Sequence, residues 1–286
     1  MSYCIIFPGQ GTQFVGMSKG LDLGTGIGQG LLRLMEEGPL DELSRTINAQ
    51  PAVFITTIAL WEKSELPTPD FVMGHSLGEY TALAVAGVLS RQDALDLVNS
   101  RAEFMEGALP LGASGMAAVL GLEVNAVRSA ISDVEDLWIA NINGGKQVVI
   151  SGMISSIDKA APRLKDAGAR RVVPLKISVA SHCPLMTNAS KKLAQVLDAK
   201  VLEKPRIRVV FNATAREAQD PAAMKMLLAR QLVDPVLWDE SVKYVVSQGI
   251  TRFVEIGPRS VLAPLVKRIY PEAHVEAITQ GPGIMT

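Results

Sequence analysis

Seven consecutive residues, Met73-Gly74-His75-Ser76-Leu77-Gly78-Glu79, stand where a short apolar run, Phe71-Val72-Met73, meets a helical pattern rich in alanine and leucine. G-x-S-x-G in that context is a nucleophile elbow: a strained strand-to-helix turn exposes the serine hydroxyl, and the flanking glycines remove side chains that would crowd the turn. Ser76 also lies at a helix N-terminus, where free backbone NH groups and the helix dipole favour developing negative charge. A serine there can simply cap the helix, but pattern and context agree on a nucleophile.

A serine nucleophile needs a neighbouring base, and the chain has three histidines. His75 is next to the nucleophile on an extended turn, so its side chain should point away from Ser76 and pack. His274 falls in an expected edge strand near the C-terminus. His182 follows a strand and precedes a helix, which lets it reach a cleft, and it is the expected general base and acid. Elbow hydrolases supply the third group as Asp or Glu between serine and histidine. Here the acids between Ser76 and His182 fall mostly on helix faces that read as exposed, leaving a backbone carbonyl as the alternative orienting group.

Arg101 is the second anomaly. In the helix expected over 92–107, Ala94, Leu97, Val98, Met105 and Ala108 mark an apolar face at helical spacing, and Arg101 falls on it. A guanidinium there either snorkels to solvent, forms an internal salt bridge, or offers its planar fork to a substrate carboxylate. Phe7-Pro8-Gly9-Gln10-Gly11-Thr12-Gln13 follows the first strand without the Lys-Ser/Thr ending of a phosphate loop or the third glycine of a dinucleotide fingerprint. It reads as an oxyanion-hole segment, with the NH of Gln10 acting beside that of Leu77.

These residues need a sheet to hold them. Short β-branched or aromatic runs alternate with longer helical patterns, the mark of an α/β domain with a mostly parallel sheet. Strands are expected at 3–7, 71–73, 207–211, 252–256 and 274–277, with helices at 30–37, 52–63, 77–89, 92–107, 185–198, 222–232, 235–247 and 260–270. Between Met116 and Ile177 the order becomes β-α-β-β-α-β, a ferredoxin-like unit. The expected division is a discontinuous core, 1–115 and 181–286, with an inserted subdomain at 116–180 and a cleft between them.

Composition closes off other functions. With 28 Lys+Arg against 29 Asp+Glu, a net charge of −1 and 5% aromatic residues, the chain lacks the basic, stacking surface of nucleic-acid binders. Hydrophobic residues reach 48% and mean hydropathy is +0.23. Even so, the least charged stretches, Ser2 to Ser18 and Gly107 to Leu122, are broken by Gly, Pro or Gln and cannot span a membrane. Two cysteines, Cys4 and Cys183, make no disulfide framework. The opening MSYCIIFPGQG has no basic n-region or cleavable apolar segment, and a cytoplasmic setting is expected.

FPGQGTQ, GHSLGEY, Arg101, ISVASHCPLM, RQLVDPVLW and FVEIGPRSVL, in this order, resemble the malonyl-CoA:acyl carrier protein transacylase family, which includes the acyltransferase domains of polyketide synthases. The resemblance runs from about Tyr3 to about Tyr270. It implies an α/β-hydrolase-like core with a ferredoxin-like insert, Ser76 attacking the malonyl thioester, His182 relaying the proton, and the Gln231 carbonyl orienting His182. It further implies an oxyanion hole from the NH groups of Gln10 and Leu77, Arg101 pairing with the malonyl carboxylate, and Gln50 near the same pocket. The implied reaction is ping-pong, from malonyl-CoA as substrate to the phosphopantetheine thiol of an acyl carrier protein, with no cofactor, nucleic acid or membrane. Two other roles stay open: a serine acyl-hydrolase, and the malonyl-loading subunit of a malonate decarboxylase. The stretch between Gln13 and Gln50 is shorter than usual in the family. Val179-Ala180-Ser181 before the base matches neither usual polyketide signature, while Leu77 after the nucleophile leans to malonyl. An acidic carrier would need a basic landing area, for which Arg170, Arg171, Lys191, Lys192, Lys267 and Arg268 are candidates.

Overall fold

The computed structural model describes residues 2–281. In chain order the strands are β1 (Cys4–Phe7), β2 (Phe71–Gly74), β3 (Ser114–Leu120), β4 (Leu137–Ile142), β5 (Gln147–Met153), β6 (Arg171–Pro174), β7 (Arg208–Val210), β8 (Arg252–Gly257) and β9 (His274–Thr279). The helices are α1 (Gln29–Glu37), α2 (Leu40–Ser44), α3 (Thr46–Ser64), α4 (Gly78–Val85), α5 (Arg91–Glu106), α6 (Val124–Ala130), α7 (Ile154–Asp166), α8 (Thr187–Asp198), α9 (Pro221–Arg230), α10 (Trp238–Ser247) and α11 (Ala263–Ile269). Among the described residues, no helix is long and apolar enough to cross a membrane.

One sheet has the order β7-β2-β1-β8-β9 and is parallel throughout. Parallel neighbours require crossovers, which is why helices separate these strands in sequence. All four residues of β1 are buried, because helices cover both faces of the sheet. The strand alternation divides the core accordingly. Ile5, Phe7, Val72, Val254 and Ile256 share a cluster with residues of α3, α4, α5, α8 and α9. Cys4, Ile6, Phe71, Met73 and Phe253 join residues of α10 and α11 in another.

The second sheet is antiparallel, in the order β4-β5-β3-β6. On one face Ala117, Val119, Val148 and Ile150 form a core with Ile157, Ala160 and Leu164 of α7. On the other, Met116, Ala118, Ala140 and Val149 cluster with Leu175 and Ile177. The β4 edge is tied to the segment between α9 and α10, where Ile142 NH donates to Val236 O (2.9 Å) and Val236 NH donates to Ala140 O (2.8 Å).

The expected elements all occur, with shifted ends. β3 starts at Ser114, two residues before Met116. The helix expected from Ala52 begins at Thr46 and contains Pro51, so the proline costs one internal hydrogen bond rather than setting the start. The helix after the elbow stops at Val85, not Leu89, because Gly87 takes a φ of +73°. There Val88 NH bonds Leu83 O and Gly87 NH bonds Ala84 O, a Schellman ending. α2, of five residues, is too short for a periodic signal and was not expected.

Candidate active site

The elbow forms as β2 passes into α4. Ser76 has a φ of +53°, in the left-handed region, and both glycines are required by close backbone approach. A β-carbon on Gly74 would lie 1.9 Å from the Gly78 carbonyl carbon, and one on Gly78 would lie 2.0 Å from Phe7 O. The pair therefore lets the turn fold onto itself and onto the end of β1. Gly9 has the same origin, since a β-carbon there would meet His75 O at 2.7 Å.

Ser76 Oγ lies 2.7 Å from His182 Nε2, and His182 Nδ1 lies 2.6 Å from Gln231 O. A carbonyl only accepts, so Nδ1 carries the proton and Nε2 is left to accept from the serine hydroxyl. Gln231 is the C-cap of α9. Its carbonyl is thus one of the free acceptors at a helix C-terminus, where the dipole favours a positive charge on the imidazole. His182 is buried, and that burial, followed by repulsion from Arg101, lowers its pKa to about 3. This carbonyl stands beside Nδ1 where a Ser-His-Asp arrangement would place a carboxylate.

Arg101, on α5, is only 1% exposed. Its Nη1 donates to Gln50 Oε1 at 2.6 Å, and its Nη2 donates to Gln231 Oε1 at 3.0 Å and to Ser76 Oγ at 3.1 Å. None of these partners carries a charge. The guanidinium lies 5.6 Å from the Tyr80 ring centroid, and among the described residues its Nε has no hydrogen-bond partner. Desolvation lowers its pKa from the ordinary arginine value. Neither snorkelling nor an internal salt bridge explains the placement.

Gln10, Gln50, Ser76, Leu77, Arg101 and His182 all line one cavity of about 60 Å³. The Gln10 side chain turns away, to Ser44 O and Thr46 Oγ1, which leaves its backbone at the cavity. Among the described residues, neither Gln10 NH nor Leu77 NH donates to a protein acceptor. A larger groove of about 750 Å³ reaches His182 between Trp138 and Ile139 of the antiparallel sheet and Pro184, Val233 and Pro235. The remaining histidines lie as expected. His75 Nε2 is 3.0 Å from Asn143 Oδ1 and its ring is 5.5 Å from that of Trp238, while His274 is exposed on the edge strand β9.

The expectation of exposed acids is corrected at two positions. Glu79 is 1% exposed, because α4 starts directly under the sheet and buries its whole first turn. Burial pushes its carboxyl up to about 8, and its Oε2 accepts from Asn212 NH at 2.6 Å. Glu106 is also buried, accepting from Arg45 Nη2 at 2.6 Å and Ile47 NH at 3.0 Å. Asn212 itself was missed. The available signal was its place just beyond the C-terminal end of a strand of the parallel sheet, where α/β sites gather.

A profile of the acyl transferase domain matches residues 22–280. The malonyl CoA-acyl carrier protein transacylase of Bacillus subtilis is 40% identical over 282 residues, 92% of this chain and 89% of that protein. The acyl-carrier-protein S-malonyltransferase structure from Burkholderia pseudomallei superposes with a TM-score of 0.91 at 39% identity, covering 97% of this chain and 96% of that one. A malonyl-transacylase solved in complex with a type II polyketide synthase acyl-carrier protein superposes at 0.88 with 35% identity, covering 97% and 95%. Agreement of this extent in sequence and fold shows that the chain belongs to the acyl transferase domain family, among its malonyl CoA-acyl carrier protein transacylases.

Proposed function

We propose that the chain moves a malonyl group from malonyl-CoA to the phosphopantetheine thiol of an acyl carrier protein, through a malonyl ester on Ser76. The observation that carries this reading is Arg101. A buried cation without a counter-charge costs several kcal/mol, and here its fork faces the cavity beside the nucleophile with only neutral partners. An acyl group ending in a carboxylate supplies the missing charge and accepts two hydrogen bonds from a planar fork. Gln50 and Gln231 hold that fork in place.

In the first half-reaction Ser76 Oγ attacks the thioester carbonyl while His182 Nε2 takes its proton. The NH groups of Gln10 and Leu77 receive the oxyanion. As the tetrahedral intermediate collapses, the C–S bond breaks and the proton on Nε2 passes to the leaving CoA thiolate. The second half-reaction runs in reverse with the carrier thiol as nucleophile. Throughout, the Gln231 carbonyl holds the Nδ1 proton. The groove reaching His182 has an apolar side, made by Trp138, Ile139, Pro184, Val233 and Pro235, that suits the pantetheine arm common to CoA and carrier, and Arg128, Ser132, Glu135 and Asp136 also line it. The chain supplies every group this chemistry uses, and the reading assigns it no cofactor.

The same proposal takes 1–115 and 181–286 as an α/β-hydrolase-like core, 116–180 as a ferredoxin-like insert, and the cytoplasm as the setting. Support for the insert is the strand order β4-β5-β3-β6 with both helices on one face. Intact-mass measurement after exposure to malonyl-CoA tests the function. The expected result is a malonyl adduct that is absent from Ser76→Ala, persists in buffer, and is discharged by holo acyl carrier protein. Rapid loss of the adduct to water without carrier would identify a hydrolase and overturn the proposal.

A further inference from the structure

The elbow carries a restraint that the reaction scheme above does not use. The ladder between β7 and β2 runs Phe71↔Arg208, Val72↔Val209, Met73↔Val210 and ends where β2 must leave the sheet to form the turn. Two residues beyond β7, the Asn212 side chain takes over. Its Nδ2 donates to Gly74 O at 2.6 Å and its Oδ1 accepts from Ser76 NH at 2.7 Å. One planar carboxamide thus spans the backbone on both sides of His75. Asn212 is itself fixed: its NH donates to Glu79 Oε2 at 2.6 Å, and its carbonyl accepts from Leu237 NH at 3.0 Å. Both Asn212 and Glu79 are 1% exposed. The circuit from α4 through Asn212 back to the turn encloses the nucleophile.

A non-glycine residue in the left-handed region persists only where its surroundings over-determine it. Gly74 and Gly78, having no side chains, cannot supply that restraint. Ser76 NH is also directed away from the reacting carbonyl because Asn212 holds it. The free donors beside the cavity are then those of Leu77 and Gln10.

We propose that Asn212 is a positioning residue for acyl transfer: its carboxamide fixes the Ser76 conformation, aiming Oγ at His182 and assigning the oxyanion contacts to the NH groups of Leu77 and Gln10. This rests on Ser76 being the nucleophile. A test that does not involve malonyl-CoA separates the two ideas: labelling of Ser76 by a small fluorophosphonate, which needs only an activated serine and an oxyanion hole. Two variants are compared with wild type. Asn212→Ala removes both contacts, and Asn212→Asp keeps the size and the acceptor but turns an oxygen toward Gly74 O. The expected result is a labelling rate reduced by about fivefold or more in each folded variant, with KM for malonyl-CoA within about twofold of wild type and the loss confined to kcat. A smaller reduction, or a loss carried by KM, overturns the proposal. A wild-type measurement covers variants that do not fold. Hydrogen exchange should find the Ser76 amide protected and the Leu77 amide open, and equal exchange at the two overturns the proposal as well. Failure of wild-type Ser76 to label at all would instead count against the nucleophile itself.

Discussion

Truncating Arg101 to alanine should separate carboxylated from neutral acyl groups. In the free protein the guanidinium has three neutral acceptors, two of them the side-chain oxygens of Gln50 and Gln231 and the third Ser76 Oγ. A malonyl carboxylate adds charge-assisted hydrogen bonds, each worth about 1.5–3 kcal/mol. Two of them amount to about 3–6 kcal/mol, or roughly 10² to 10⁴ in kcat/KM for malonyl-CoA. Acetyl-CoA makes neither contact. Its acylation rate should hold or rise, because the alanine variant removes the cation that opposes a positive charge on His182. Arg101→Lys keeps the charge but not the fork and should fall between the two. The assay is rapid-quench intact-mass measurement of acyl-Ser76 with each thioester. Parallel losses for malonyl and acetyl would show that Arg101 merely supports the site, and a malonyl loss below about tenfold would refute the carboxylate pairing.

Three further outcomes follow from the same geometry. Gly78→Ala would place a β-carbon 2.0 Å from Phe7 O, a backbone clash that nothing flexible can relieve, so thermal melting should show a loss of several kcal/mol or no folded protein; a melting temperature within a few degrees of wild type would contradict it. In the proposed reaction neutral His182 is the base, and its folded pKa is lowered to about 3, so kcat/KM should be retained as pH falls through the ordinary histidine value of about 6.5. In the complex the substrate carboxylate offsets Arg101, and the acid limb of kcat should lie higher than that of kcat/KM; an inflection of kcat/KM between about pH 6 and 7 would contradict the buried imidazole. Glu79, pushed up to about 8 from 4.5, holds a proton that the unfolded chain releases. Its contribution to stability is therefore present below pH 4.5 and is lost as pH rises through 8, at about 1.4 kcal/mol per pH unit at most. Glu79→Gln should flatten that decline in pH-dependent melts, and identical curves for the two proteins would remove Glu79 from the account.

What could be read in the sequence was what chemistry constrains locally. The elbow is legible because two glycines and a serine at fixed spacing leave few other conformations, and the histidine beside Ser76 because three histidines left one well placed. Arg101 stood out because a charge on an apolar helix face demands a reason. Gln231 had no such mark: its part in orienting His182 is played by a backbone carbonyl, which any residue possesses, and only family resemblance pointed to it. Asn212 and Glu79 were hidden for a different reason. Asn212 lies 136 residues from the serine it restrains, and only the adjacency of β7 and β2 brings them together. Glu79 reads as a solvent-facing helix residue until the sheet above α4 is known. The helix ends moved for reasons of backbone geometry, as at Gly87 and Pro51, that periodicity does not register.

The placement of Gln231 joins these parts into one unit. Its carbonyl fixes His182 Nδ1, its side-chain oxygen accepts from Arg101 Nη2, and its side-chain nitrogen donates to Ser76 O at 2.9 Å. His182, Arg101 and Ser76 are therefore held by one buried residue at the end of α9. Arg101 Nη2 also shares Ser76 Oγ with His182 Nε2, so a cation and a base address the same oxygen. When a carboxylate offsets the guanidinium's charge, the imidazole becomes easier to protonate and so a stronger base toward the Ser76 hydroxyl, because the repulsion that lowers the His182 pKa in the free site is relieved. Recognition of the acid group and activation of the serine thus act through the same atoms, which accounts for a buried arginine being kept within hydrogen-bonding distance of the nucleophile.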